Sequence, residues 1–362
     1  MPRLLVRPGL ALSIHILNSM KRQLLALAAL TLATGAMAQS SSVTLFGVAD
    51  ASVAHLSTSG KSVTGLANGG NSSSRLGFRG VEDLGSGLKA GFWLEGGVTV
   101  DDGAAAGFKF DRRSTLSLMG NFGELRVGRD KTPAYQNLET FHAFADAGMG
   151  AINGHSLISG SAAGTPEGSN PKRVSNSVSY LLPKLGGVYG QVTHSFGEQA
   201  DNNSLSSSTG VRLGYAAGAL NVAGAYGVAR GGTATADVDY KTFNLGASYK
   251  LGSFTPMVLV ASDRGANKRV DLYSFGLKMA LGQGELRAAY SMFEDKKQAD
   301  ADSQRLALGY GYALSKRTEI YATVAHIKND GKAARKLGSS LSPTPNAGKK
   351  LTGYEIGLRH NF

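Results

Sequence analysis

The chain has 362 residues, with 49 glycines, 9 prolines, no cysteine and 42% hydrophobic residues. The missing cysteines exclude a disulfide framework and any thiolate metal site, and no apolar run beyond residue 38 reaches the ~20 residues of a membrane-crossing helix. Formal net charge is +12; Arg3, Arg7, Lys21 and Arg22 are the only charges in residues 1–38, so the remainder carries 34 bases against 26 acids, scattered singly through strand-like segments in a pattern that argues against nucleic acid and for an anion path or anionic surface.

Met20-Lys21-Arg22, the apolar run Leu24 to Ala33 and the small-residue end Ala36-Met37-Ala38 form a basic, then apolar, then A-x-A pattern. This is an export signal, with cleavage expected before Gln39. Residues 1–38 are therefore read as the signal, with Met20 the expected true start, and 39–362 as one mature domain.

From Val43 the chain falls into segments of about ten residues that alternate with period two, the pattern of half-buried strands. In 88–101, Leu88, Ala90, Phe92 and Leu94 oppose Lys89, Gly91, Trp93 and Glu95; 269–279 and 304–312 repeat the pattern. Seven short turns recur, at 84–87, 121–123, 183–187, 217–219, 251–253, 281–284 and 314–316. Eight longer polar stretches alternate with them, at 55–74, 102–109, 129–172, 198–209, 230–238, 263–268, 294–302 and 329–350. Short connections on one side and long ones on the other predict an all-β, antiparallel transmembrane barrel of about sixteen strands. The last strand carries Tyr354, Ile356, Leu358, His360 and Phe362 on one face. It must close against the first, because an open edge in lipid leaves backbone groups unpaired.

Parity then orients the charges. A charged side chain on the lipid face costs about 2–4 kcal/mol at mid-membrane. Leu76 and Phe78 must face out, so Arg75 and Arg79 face the lumen. Leu116 and Leu118 put Arg113 inward, with Arg112 beside it at the external end; Val178 and Tyr180 put Arg173 inward; Glu95 and Arg126 share lumen parity. Lys89, Arg212, Lys241, Arg287, Arg305 and Arg359 also read as lumen-facing, either extending a basic path or standing as solvated rim charges. The long stretch 129–172 holds Glu139, His142, Asp146, Asn153, His155 and Glu167, and connections of that length are commonly functional. None of the histidines has metal-ligand spacing, and neither 148–153 nor 154–158 completes a nucleotide or nucleophile motif. No enzyme activity, cofactor or metal is expected.

The chain resembles the trimeric general porins of Gram-negative bacteria, in their β-proteobacterial branch. The match rests on the runs from Ser42 to Asp50, Ser74 to Ala90 (SRLGFRGVEDLGSGLKA), Asn121 to Arg129 and Gly357 to Phe362. It implies a homotrimeric, sixteen-stranded outer-membrane barrel with its third loop, 129–172, folded into the lumen. It further implies that Arg75, Arg112, Arg113 and Arg173 match the family's arginine cluster at the constriction, with Glu139 and Asp146 as candidate opposing acids. Phe362, with Tyr354 on the same strand, is implied to be the signal read by the barrel-assembly machinery. Other expected partners are outer-membrane lipids, lipopolysaccharide and small anionic solutes. The expected function is passive diffusion of small hydrophilic solutes with preference for anions. A substrate-specific channel for phosphate or small organic acids, a barrel hydrolase and a structural surface barrel are the alternatives.

Overall fold

The structure is a computed structural model that describes residues 42–103, 107–152, 157–158, 171–200, 204–233 and 236–362. The expected export signal, and Asn153, His155 and Glu167 of the long stretch, lie outside those residues. In chain order the elements are β1 (Ser42–Thr58), β2 (Lys61–Asn68), β3 (Arg75–Gly85), β4 (Leu88–Gly97), β5 (Arg113–Gly120), β6 (Gly123–Lys131), α1 (Pro133–Thr140), β7 (Arg173–Leu181), β8 (Val188–Ser195) and β9 (Ser208–Ala217). They continue with β10 (Leu220–Thr233), β11 (Ala236–Tyr249), β12 (Phe254–Gly265), β13 (Lys268–Leu281), β14 (Gly284–Asp295), β15 (Ser303–Ala313), β16 (Thr318–Asn329) and β17 (Leu351–Asn361).

All strands join one antiparallel sheet that closes on itself. Val48 to Thr58 of β1 pair with Asn361 back to Leu351 of β17. The other edge of β1 is shared, Ser42–Val48 pairing with β3 and Ala51–Thr58 with β2. The 17 strand segments therefore fill sixteen positions in the wall, since β2 and β3 occupy one. Residues 69–74 step out of the wall between them. They are held by Asp50, whose carboxylate accepts from the amides of Asn71 (3.1 Å) and Ser72 (2.6 Å).

Apolar side chains point outward around the whole barrel. Leu116, Leu213, Leu306, Tyr354 and Ile356 are each more than half exposed, as a lipid-facing surface requires. Three of the expected polar loops are strand instead. The stretch 55–74 contains the β1–β2 hairpin, and 230–238 and 263–268 close as tight hairpins at Thr233↔Ala236 and Gly265↔Lys268. Above the apolar band a strand no longer alternates in hydrophobicity, so the pattern that reveals a strand in lipid is lost at the rim.

Lys241 does not face the lumen. Its strand carries two apolar sets of opposite parity, and Phe243 and Leu245, both nearly half exposed, take the outward face and carry Lys241 with them. Tyr240 instead packs inward.

Candidate pore constriction

The basic wall is built by β3 to β7. Arg112, just before β5, sits 2.7 Å from Glu95 on β4, and Arg75 on β3 approaches the same carboxylate at 3.9 Å. Arg113 stands 3.6 Å from Asp130 and lies over the Trp93 ring at 4.5 Å. Arg79 stacks on Trp93 and Phe46, at 5.0 and 5.2 Å. Arg173 donates from Nε to the backbone oxygen of Arg112 at 2.7 Å. Arg126 pairs with Asp130 (2.6 Å) and Glu124 (2.7 Å). The sequence-derived cluster is thus brought together, with Glu95 in its centre. Among the described residues neither Arg79 nor Arg173 has a carboxylate within ion-pair reach.

The long connection leaves β6 at Thr132, whose hydroxyl caps α1 by accepting from the amide of Tyr135 (3.3 Å), with Pro133 in the first turn. Cap and proline are the standard start signals of a helix. Sequence reading missed α1, although Thr-Pro marked its first residue.

The helix is bolted to β10 and β11. Asn137 donates to the Ala223 carbonyl (3.0 Å) and to Asn244 Oδ1 (2.7 Å), while Asn244 donates back to the Ala134 carbonyl (3.0 Å). Arg212 on β9 donates to Asn137 Oδ1 at 2.9 Å. The chain then crosses the inward face of the remaining strands. Phe141 occupies the space a side chain at Gly246 would need, a Cβ there lying 2.3 Å from the ring. His142 is buried beside Ser291. Burial, with Arg305 and then Lys278 adding to it, drives its imidazole well below the ordinary histidine range. At the far end Met149 reaches Glu355 on β17 (3.4 Å), and Arg305 of β15 binds the Ala151 carbonyl. Leu157 donates to Asp263 on β12 (2.7 Å) and accepts from Arg335 (2.5 Å).

Both candidate acids of this loop are engaged by lysines. Glu139 lies 2.5 Å from Lys131, and Asp146 lies 2.7 Å from Lys172 and 3.8 Å from Lys131. Burial pushes the Asp146 carboxyl up, but Lys172 and Lys131 outweigh it and hold the group well below the usual carboxylate range. Lys131 and Lys172 flank the loop's two ends, and both pack over the Tyr135 ring. Sequence reading passed over these lysines because neither lies on an alternating segment.

The acids missed by sequence reading sit beside the basic wall, on β1, β16 and β17, with β1 paired directly to β3. Asp50 and Glu355 are buried there, joined through Ser52 (3.0 Å to Glu355) and Tyr321 (2.5 Å to Asp50). The inward parity of Glu355 was readable from its exposed neighbours Tyr354 and Ile356. Asn71, from the stepped-out segment, donates to Glu319 (2.8 Å) and accepts from Arg287. At the seam, Phe362 exchanges two backbone hydrogen bonds with Gly47 (3.0 and 3.1 Å), and Tyr354 faces out, stacked on His55 at 5.1 Å.

The chain is 39% identical over 360 residues to outer membrane porin protein 32 of Delftia acidovorans, covering 95% of this chain and all of that one. It is 28% identical to an outer membrane porin protein of Bordetella pertussis, with the same coverage. Among solved structures, the anion-selective porin from Comamonas acidovorans superposes with a TM-score of 0.79 at 35% identity, over 89% of this chain and all of the other. The trimer form of OmpT from Vibrio cholerae shares the fold at 17% identity and a TM-score of 0.64, over 89% of this chain and 99% of its own. The profile described as Gram-negative porin matches residues 25–332, and with the closed barrel and full-length relatives the chain belongs to the Gram-negative porin family.

Proposed function

We propose that this outer-membrane diffusion channel passes small anions in preference to cations, with Arg75, Arg112, Arg113 and Arg173 forming the basic side of its constriction. One observation carries the reading. Eight cations (Arg75, Arg79, Arg112, Arg113, Arg126, Lys131, Arg173, Lys172) stand among five carboxylates (Glu95, Glu124, Asp130, Glu139, Asp146) where loop and wall meet. The loop acids are occupied by lysines, so the excess positive charge is left to the arginines. In a narrow pore with low-dielectric walls such an excess concentrates anions and repels cations. The relatives are porins rather than enzymes, and the barrel needs no cofactor for passive diffusion.

The test is the reversal potential of the purified channel in a planar bilayer across a potassium chloride gradient. A potential on the chloride side is expected; one on the potassium side overturns the charge assignment and leaves the porin itself intact.

The same reading takes residues 1–38 as the export signal and the assembled channel as a homotrimer. Phe362, with Tyr354 beside it on the outward face, serves as the signal for the assembly machinery. Lipopolysaccharide and outer-membrane lipids surround the outward face.

A further inference from the structure

Strand register places three cations side by side on the outside of the barrel. Lys241 on β11 pairs with Arg264 on β12, and Arg264 pairs with Arg269 on β13. All three share parity with outward-facing residues. One row nearer mid-membrane on the same face stand Tyr226, Phe243, Ser262 and Asp271, each paired with the next; Tyr226 and Phe243 are 40% and 47% exposed. Below them come Leu245 and Val260. The cations therefore sit at the end of the barrel carrying the long connections, just past the aromatic rim of the lipid-facing band.

Like charges directly opposite on neighbouring strands destabilise a sheet, and here two such pairs are consecutive. Local acids offset them only in part. Arg269 lies 3.0 Å from Asp271; Lys241 stands 3.8 Å from Asp239, which Arg230 also approaches at 3.3 Å. Among the described residues Arg264, the middle member, has no carboxylate partner. Three bases thus share two acids, and Arg264 is a fourth base beside them. Between them lies a hollow of about 310 Å³, lined by Tyr226, Lys241, Phe243, Ser262, Arg264 and Arg269. Two guanidiniums and an ammonium around a hollow suit a phosphate, which arginine binds through paired N–H donors. A dissolved anion has no need of the apolar strip beneath, whereas a lipid does.

We propose that Lys241, Arg264 and Arg269 form a docking site for the phosphate of a phosphorylated lipid headgroup in the outer leaflet, with the acyl chains lying over Phe243, Leu245 and Val260. This rests on the outer-membrane placement of the porin and is independent of its ion preference. The bound phosphate relieves the repulsion within the row, so this part of the wall is completed by its lipid.

The experiment uses the folded channel in non-ionic detergent, as wild type and as the K241Q/R264Q/R269Q variant, with R264Q alone as a milder second variant. Thermal unfolding is followed with added bis-phosphorylated lipid A, with the same lipid stripped of its phosphates, and with inorganic phosphate. Phosphorylated lipid A should stabilise the wild type, bind the triple variant about tenfold or more weakly, and bind R264Q with intermediate affinity. Without lipid, R264Q should unfold at or above the wild-type temperature, because both like-charge pairs have gone. Equal stabilisation by the stripped lipid, equal stabilisation by inorganic phosphate, or undiminished lipid binding by both variants overturns the site. Conductance of the same preparations is expected to be unchanged; its loss in the wild type would count against the porin reading, separately from the lipid result.

Discussion

Strands β3 to β7 present arginines to the lumen, whereas β10 to β17 present mainly alanine, glycine and small polar groups. Where the loop runs along the second region, Ala223, Ala289, Ala307 and Ala325 are almost fully buried, and Phe141, Phe144 and Met149 fill the space above them. Where the loop leaves and rejoins the wall, the contacts are ion pairs with side chains 11–28% exposed. One region holds the loop by close packing and by hydrogen bonds to its backbone and helix, and the other meets it by ion pairs. Close packing is unforgiving of added volume. Partly exposed ion pairs tolerate exchange, because water competes for each partner. The seat should therefore be the fragile part of the molecule and the basic wall the tunable part.

The sharpest break in that contrast is Gly148→Val. Gly148 has φ +79° and a Cβ there would lie 1.8 Å from the Gly70 carbonyl, so loop tip and stepped-out segment meet backbone to backbone. Left-handed strain and overpacking together should cost the seat roughly 3 kcal/mol. The expected result is a barrel that still inserts, with higher and noisier single-channel conductance and faster hydrogen exchange at 141–151. Unchanged exchange would mean that the tip is held elsewhere.

The second effect is on pH. Burial keeps His142 neutral in the folded seat, with its pKa well below the ordinary value. Below about pH 6.5 the unseated loop binds a proton that the seated one does not. Stability of the seat is thus full above about pH 6.5 and falls as pH drops, by up to about 1.4 kcal/mol per unit. The protection of the Phe144 and Met149 amides, taken as exchange relative to the intrinsic rate at each pH, should fall between about pH 6.5 and 5, and His142→Gln should flatten that slope. An equal slope in the variant would assign it to other groups. Thr132→Ala comes next in size. Its hydroxyl caps α1 and donates to the Pro171 carbonyl (3.0 Å), so its loss should cost about 1 kcal/mol, read as exchange at Tyr135 and Gln136.

How much of this was legible follows from the same contrast. Much of the charged wall could be read because Arg75, Arg79, Arg113 and Arg126 lie on alternating strands whose outward neighbours are unambiguous, as Leu76 and Phe78 are for Arg75; Arg112 precedes β5, and the alternation of β7 breaks between Arg173 and Val178. The seat could not be read, because an alanine or glycine at lumen parity looks alike whether it faces water or a loop. Asn137 and Asn244, which lock the helix, are ordinary polar residues until tertiary structure brings them together. Lys241 went astray where Tyr240 and Phe243 offered opposite parities, and only the neighbouring strands decide between them.

The smallest effect sharpens the comparison most directly, because two substitutions should move the same observable in opposite directions without touching the seat. A unit charge about 8 Å from a passing ion in water-like dielectric is worth about 0.5 kcal/mol, a roughly twofold change in local ion concentration. Arg173→Gln removes a cation with no carboxylate partner among the described residues, so the ratio of anion to cation permeability should fall by about the square of that factor, roughly fourfold, since anions are lost as cations are gained. Glu95→Gln removes the carboxylate that neutralises Arg112 and partly Arg75, so the ratio should rise by a similar amount. Both shifts should vanish near 1 M salt, where the screening length is about 3 Å. Exchange at 141–151 should stay as in the wild type for both variants. If Glu95→Gln instead lowered the ratio and loosened the loop, Glu95 would be acting as a structural strut for Arg112, and the boundary between a wall that tunes and a seat that holds would have to move to include it.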